Sequence, residues 1–160
     1  MTKVIVAIAL KTGMRWSEII HLKWKQAPQS NYMDFDNNVI VVHESLAKSK
    51  QSRYVPLCRT VKSLLQSLSK NDSGYLFLNP KTQKPYGSIK FSFKKALQKA
   101  GITNFTFHDL RHTFASQLVR SGVDLYVVQK LLGHATPKMT QRYAHLASQQ
   151  LHDAIEKIDV

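Results

Sequence analysis

The first apolar pattern in the chain is an unbroken run, Val4 to Leu10, followed at once by Lys11, Thr12 and Gly13. Seven residues are too few to span a bilayer. No small-x-small cleavage site follows, so a secretory leader is not indicated either. The run reads as a core helix over 2–12, with Gly13 as the residue that stops it. A second helix is expected from Ser17 to Trp24, with Ser17 as its cap. The period then shortens to two. NYMDF and NVIVVHESL alternate as strands and meet across the turn residues DNN. RYVPL makes a third strand closed by Pro56, and the Lys-rich AKSKQS before it reads as an exposed hairpin loop.

From Val61 onward the apolar spacing is helical. VKSLLQSLSK is amphipathic, NDSG and NPKTQKPYGS are loops, and SIKFSFKKALQKAG is a helix stopped by Gly101, packing through Phe91, Ala96 or Leu97. In FHDLRHTFASQLVRSG, Leu110, Phe114 and Leu118 recur at four-residue spacing until Gly122. VDLYVVQKLLG carries Leu125, Val128, Leu131 and Leu132 on one face, TPKMTQRYAHL is a short helix with Pro137 near its start, and SQQLHDAIEKI closes the chain with Leu151, Ile155 and Ile158. The predicted fold is α+β and mostly helical: helices packed with one small three-stranded antiparallel sheet, in a single domain over 1–160 ending in a tail helix at about 147–160.

Charge narrows the partner. The 23 Lys and Arg outnumber the 10 Asp and Glu, for a net +13, which points to a polyanion and first to nucleic acid. The single cysteine, Cys58, allows no internal disulfide and is expected to be a small packed residue.

HDLRH, at 108–112, is the densest chemistry in the chain. His108 and His112 share a helix face, as two zinc ligands would. However, the position of a metalloprotease's glutamate holds the shorter Asp109, and Arg111 beside a dication is unfavourable. Asp34, Asp36 and Asp72 look like turn residues, so a two-metal nuclease is not indicated. No G-x-S-x-G occurs, and the 6 glycines are scattered rather than gathered in a phosphate loop. His108 and Arg111, three apart, would form an anion site near a helix N-terminus. They would equally fit a capped helix with a surface arginine and a core histidine, and HDLRH alone does not decide.

Its neighbours do. LLGH follows, with His134 twenty-three residues past Arg111, and Tyr143 stands nine residues further on in MTQRYAHL. Upstream lie TGMRWSE, with Arg15 and Glu18, and KSKQSRYVPL. In this order and spacing the boxes resemble the C-terminal catalytic domain of the tyrosine recombinase (phage integrase) family, over about Thr12 to Tyr143. The family's usual N-terminal helical domain, which grips the other side of the DNA, is expected to lie outside this chain.

The resemblance implies site-specific DNA strand cleavage and rejoining, for integration and recombination, with no metal and no cofactor. Tyr143 would be the nucleophile, forming a 3′-phosphotyrosyl link. Arg15 and Arg111 would stabilise the phosphate oxygens, His134 would hydrogen-bond one of them, and His108 would exchange protons with the tyrosine. Lys48 would be the general acid; Lys50 and Arg53 stay open as alternatives, with distance from VPL favouring Lys48. Glu18 is expected to orient Arg15, and His112 to be a buried partner of backbone. Lys50, Arg53, Ser88, Lys90 and Lys94 are candidate DNA contacts. The implied partner is double-stranded DNA carrying an attachment site, bound by a homotetramer that is monomeric when free, with accessory DNA-bending proteins. The implied setting is cytoplasmic and nucleoid-associated, in a bacterium or phage.

Overall fold

In the computed structural model, residues 1–47, 51–71, 73–147 and 155 are described. Lys48, Lys50, Asp72 and most of the expected tail helix lie outside them.

Helix α1 (Thr2–Thr12) buries Ile5, Ile8 and Ala9 and ends at Gly13, whose φ of 63° is left-handed. The short α2 (Trp16–Ile20) starts one residue before Ser17, with Arg15 as its cap residue. Glu18 accepts a 2.8 Å hydrogen bond from the Arg15 amide, the reach-back that closes a capping box. The helix stops short of Trp24 because the following backbone pairs elsewhere. Lys23 donates to Asn31 O, and Trp24 to Gly74 O.

Strands β1 (Tyr32–Asp34), β2 (Val39–Val42) and β3 (Arg53–Pro56) form one antiparallel meander in that order. Val42 pairs with Arg53, so the 43–52 connection, which carries Lys48, leaves the sheet at that rung. Along β3 the alternation buries Arg53 and Val55 and exposes Tyr54. Arg53 therefore points inward, which corrects its expected place at the DNA surface. Helix α3 (Arg59–Gln66) buries Val61 and Leu65. Cys58, which precedes it, is exposed rather than packed.

Helix α4 (Lys90–Lys99) buries Phe93, while Phe91 is 84% exposed. Of the residues expected to pack, Leu97 does so beside Phe93, while Phe91 and Ala96 face solvent. Helix α5 (Asp109–Arg120) runs along α1, α6 (Leu125–Leu132) along α5, and the short α7 (Lys138–Gln141) follows and leads into a 3-10 turn at Ala144–Ala147.

Two apolar clusters result. The larger joins α1, α2, the sheet, α3, Phe77, Phe93 and Leu110. The smaller joins Ala115 and Val119 of α5 to Val128, Leu132 and Tyr143. Helix α5 belongs to both, and Arg111 sits in it between them.

Candidate active site

Arg111 is 3% exposed, and burying a guanidinium demands partners for its N–H groups. It finds two carbonyls. One terminal nitrogen donates to Gly13 O at 2.7 Å and the other to Leu132 O at 2.6 Å. Both carbonyls belong to helix ends, where the partial charge is negative. One arginine thus ties the end of α1 to the end of α6.

Two glycines end these helices where a side chain has no room. A side chain on Gly13 would run into Phe114 and Leu132, and at φ 63° it would also be strained. Gly133, at φ 62°, ends α6 and faces Arg53; a Cβ there would lie 2.8 Å from the arginine's Cδ.

Around Arg111 the chain gathers Arg15, His108, His112, His134, Met139, Arg142 and Tyr143, which line one pocket of about 150 Å³. Five of the six residues to which the family resemblance gives catalytic roles meet here. The sixth, Lys48, lies outside the described residues.

Arg15 is held from behind. Its Nη1 donates to Glu18 Oε1 at 3.1 Å. Glu18 is fully buried and also takes two bonds from Arg53, at 2.9 and 2.7 Å. Arg53 Nε donates on to Leu131 O at 3.2 Å. Burial alone would raise the Glu18 carboxyl; the Arg53 guanidinium, with Arg15, holds it below the usual carboxylate range. Asn31, also buried, joins the same support: its Nδ2 donates to Glu18 O at 3.0 Å, and its Oδ1 accepts from the His43 amide at 2.9 Å. The role of Arg53 was readable in the alternation of β3, which puts it on the face of Val55. Asn31 gave no signal beyond its place at a strand start.

The pocket is strongly cationic. Burial, with Arg15 beside it, pulls the Arg111 guanidinium down to about 9, so it stays charged at neutral pH. Burial and then Arg111 and Arg15 push His134 down to about 4. His134 is therefore a neutral hydrogen-bonding group, with its Nδ1 2.8 Å from the Thr140 hydroxyl. His108 is lowered by burial and then by His112 and Arg111. For both histidines burial is the first cause, and the neighbouring positive charges add to it.

Tyr143 packs in the smaller apolar cluster, 5% exposed, with its hydroxyl turned to the pocket. That hydroxyl lies 2.6 Å from His112 Nδ1. His112 was expected to partner backbone, and the finding corrects this: it meets the phenol, and its ring stands edge-on to that of His108, centroids 4.9 Å apart. Arg142 was missed by sequence reasoning. It lines the pocket from the residue before the tyrosine, and its charge lowers both His112 and His134.

Ser88, Lys90 and Lys94 lie outside this pocket, on an exposed groove of about 1000 Å³ whose floor includes Trp16, Phe93 and Phe107. The groove reaches the pocket at His108, which lines both. Ser88 Oγ also accepts from the Lys90 amide at 3.1 Å.

The class of site is thus a cationic, anion-ready pocket closed on one side by a tyrosine, on a mostly helical α+β scaffold. Comparison with known proteins places the scaffold. Residues 1–150 match the model of the phage integrase family, and the chain belongs to that family. It is 34% identical to the integrase of Salmonella phage P22 over 98% of this chain and 42% of that protein. The chain spans about half the length of the curated relatives it matches. Among solved structures, the catalytic domain of bacteriophage HP1 integrase superposes with a TM-score of 0.69 at 34% identity, covering 98% of this chain and 80% of that one. XerH site-specific recombinase bound to difH substrate, in a pre-cleavage complex, gives 0.69 at 25% identity, covering 99% and 46%.

Proposed function

We propose that this chain is the catalytic part of a site-specific DNA recombinase or integrase, which cuts and rejoins DNA strands through a 3′-phosphotyrosyl intermediate on Tyr143. The observation that carries the reading is the convergence of Arg15, from the start of α2, and Arg111, from α5, on one pocket with Tyr143. The family's XerH relative, solved on its difH DNA, and the net charge of +13 support DNA as the partner.

The shared pocket of Arg15, Arg111 and Tyr143 supports the following chemistry. Arg15 and Arg111 bind the non-bridging oxygens of a scissile phosphodiester and stabilise the charge that grows on them. Neutral His134 and His108 add hydrogen bonds. The Tyr143 oxygen attacks phosphorus, and the 5′-oxygen leaves with a proton from Lys48. A phenol, with an ordinary pKa of about 10, is a far better leaving group than an alcohol, so the step reverses without ATP. The arginines take the place a metal ion would occupy, and the reaction is expected to run in EDTA. Lys90 and Lys94 anchor backbone phosphates alongside the groove. Assembly as a tetramer on two duplexes, with DNA-bending accessory proteins, belongs to the same proposal, as does action in the cytoplasm on nucleoid DNA.

The test is covalent capture. A randomised pool of nicked suicide duplexes is incubated with the protein in EDTA, and DNA that survives denaturation on protein is recovered and sequenced. The expected result is an adduct with the wild type and none with Tyr143→Phe. An adduct that persists in Tyr143→Phe, or no adduct from any duplex, would overturn the proposal.

A further inference from the structure

We infer that His112 is the catalytic base that takes the proton from Tyr143; the inference rests on the recombinase reading above and deepens it. The resemblance gave that exchange to His108. The structure instead puts His112 Nδ1 within hydrogen-bond distance of the Tyr143 hydroxyl, at 2.6 Å, and with the ring proton on Nε2 it is the phenol that donates to Nδ1. The neighbouring His108 lines the pocket and the apolar groove, with its ring edge-on to His112.

The need for a base is plain from the phenol. Burial raises Tyr143 above its usual value, although Arg142 and Arg111 draw it partly back, so at neutral pH it is protonated and a weak nucleophile. His112 is suited to the task because it is neutral. Burial first, then Arg142, lowers its pKa; Asp109 works the other way, and Arg111 adds to the lowering. The charged and titratable groups around it are His108, Asp109 and Arg111 on its own helix and Arg142 and Tyr143 from the segment packed against it. Arg15 and His134 line the far side of the pocket. A phosphodiester entering the pocket cancels part of the Arg111 charge and so makes His112 a stronger base when substrate is present.

The step balances. The Tyr143 O–H bond breaks and its proton passes to His112 Nδ1, with the phenolic electron pair forming the new bond to phosphorus. The bond from phosphorus to the 5′-oxygen breaks, and that oxygen takes a proton from Lys48. On rejoining, the 5′-hydroxyl attacks, Lys48 recovers its proton, and protonated His112 returns one to the departing phenolate.

The test uses the captured duplex and its counterpart with sulfur at the bridging 5′ position, which leaves without needing a proton. Single-turnover adduct formation is followed across pH for the wild type, Lys48→Ala and His112→Asn, whose amide oxygen replaces the acceptor but cannot hold a proton. The wild-type rate should rise with pH and reach a plateau once His112 has lost its proton. His112→Asn should be slower by on the order of 10²-fold at neutral pH. Its rate should keep climbing by about tenfold per pH unit as tyrosinate forms, so that its deficit shrinks in alkali. Sulfur should rescue Lys48→Ala and leave His112→Asn slow. A His112→Asn rate near wild type, a deficit constant with pH, or rescue by sulfur would overturn the assignment. Should His112→Asn not fold, His112→Gln takes its place, and nitrogen NMR of the wild type gives a second measurement. At neutral pH the His112 proton is expected on Nε2, and a protonated Nδ1 would overturn the assignment. If the wild type makes its adduct through Tyr143 and only the His112 result fails, the base is wrong and the recombinase reading stands.

Discussion

At the scale of single residues the site is a problem in keeping positive charge buried until an anion arrives. Arg111 solves it with two helix-end carbonyls, and a substitution shows what each half contributes. Arg111→Ala leaves those carbonyls unpaired and removes a charge-stabilising donor. Cleavage should fall by about 10²–10³-fold, and the melting temperature should fall with it. Arg111→Lys keeps the charge but has no planar fork to bridge Gly13 and Leu132, so it should lose activity nearly as far; a lysine variant near wild-type rate would show that charge alone suffices. His134 gives a prediction in pH. Its folded value of about 4 lies below the usual 6.5, so the native state holds fewer protons than the unfolded chain between those values. That contribution to stability is complete above 6.5 and is lost as pH falls towards 4. The melting temperature should therefore drop across this window, less steeply in His134→Gln, as calorimetry can check. Glu18, also lowered, adds its own loss only below its usual 4.5.

At the scale of elements, the groups that line the pocket are positioned by how helices end and how one strand alternates. Gly133→Ala should cost about 1–2 kcal/mol for the left-handed backbone, and more if Arg53 must shift, readable by denaturant unfolding. Arg53→Ala breaks a buried ion pair and should cost about 3–5 kcal/mol. It should also slow cleavage without Arg53 touching DNA, because Glu18 then loses the partner that fixes it against Arg15. Unchanged stability in that variant would contradict the network. The same elements show what was legible in the chain. Helical spacing located α5 and α6, and the period-two runs located the sheet, because those signals are local. The inward turn of Arg53 was legible too, in its sharing a face with Val55, but a basic residue beside a Lys-rich loop read as a DNA contact. Phe91 and Phe93 are two apart on a helix, so one of them had to face away from the core; only the packing of Phe93 against Phe105 and Phe107 selects which. The meeting of His112 with Tyr143 was not legible, since it joins residues 31 apart through the placement of α7.

At the scale of the whole molecule, the pocket of six cationic or imidazole side chains, two arginines among them buried or nearly so, joins an exposed groove bordered by Lys90 and Lys94. Among the described residues no helix is long and apolar enough to cross a membrane. A protein of this charge should bind duplex DNA with an affinity that falls steeply with salt. If Lys90 and Lys94 anchor phosphates, each alanine substitution should flatten the logarithmic slope by about one, as anisotropy titrations would measure; an unchanged slope would remove those residues from the interface. The central claim is that one phosphorus becomes bonded to Tyr143 while Arg15 and Arg111 hold its oxygens. Mass spectrometry of the protease-digested adduct, trapped in EDTA, tests it most directly. The account predicts a nucleotide joined through its 3′-phosphate to the peptide containing Tyr143. A nucleotide on any other residue, or attachment that requires a divalent metal, would contradict it.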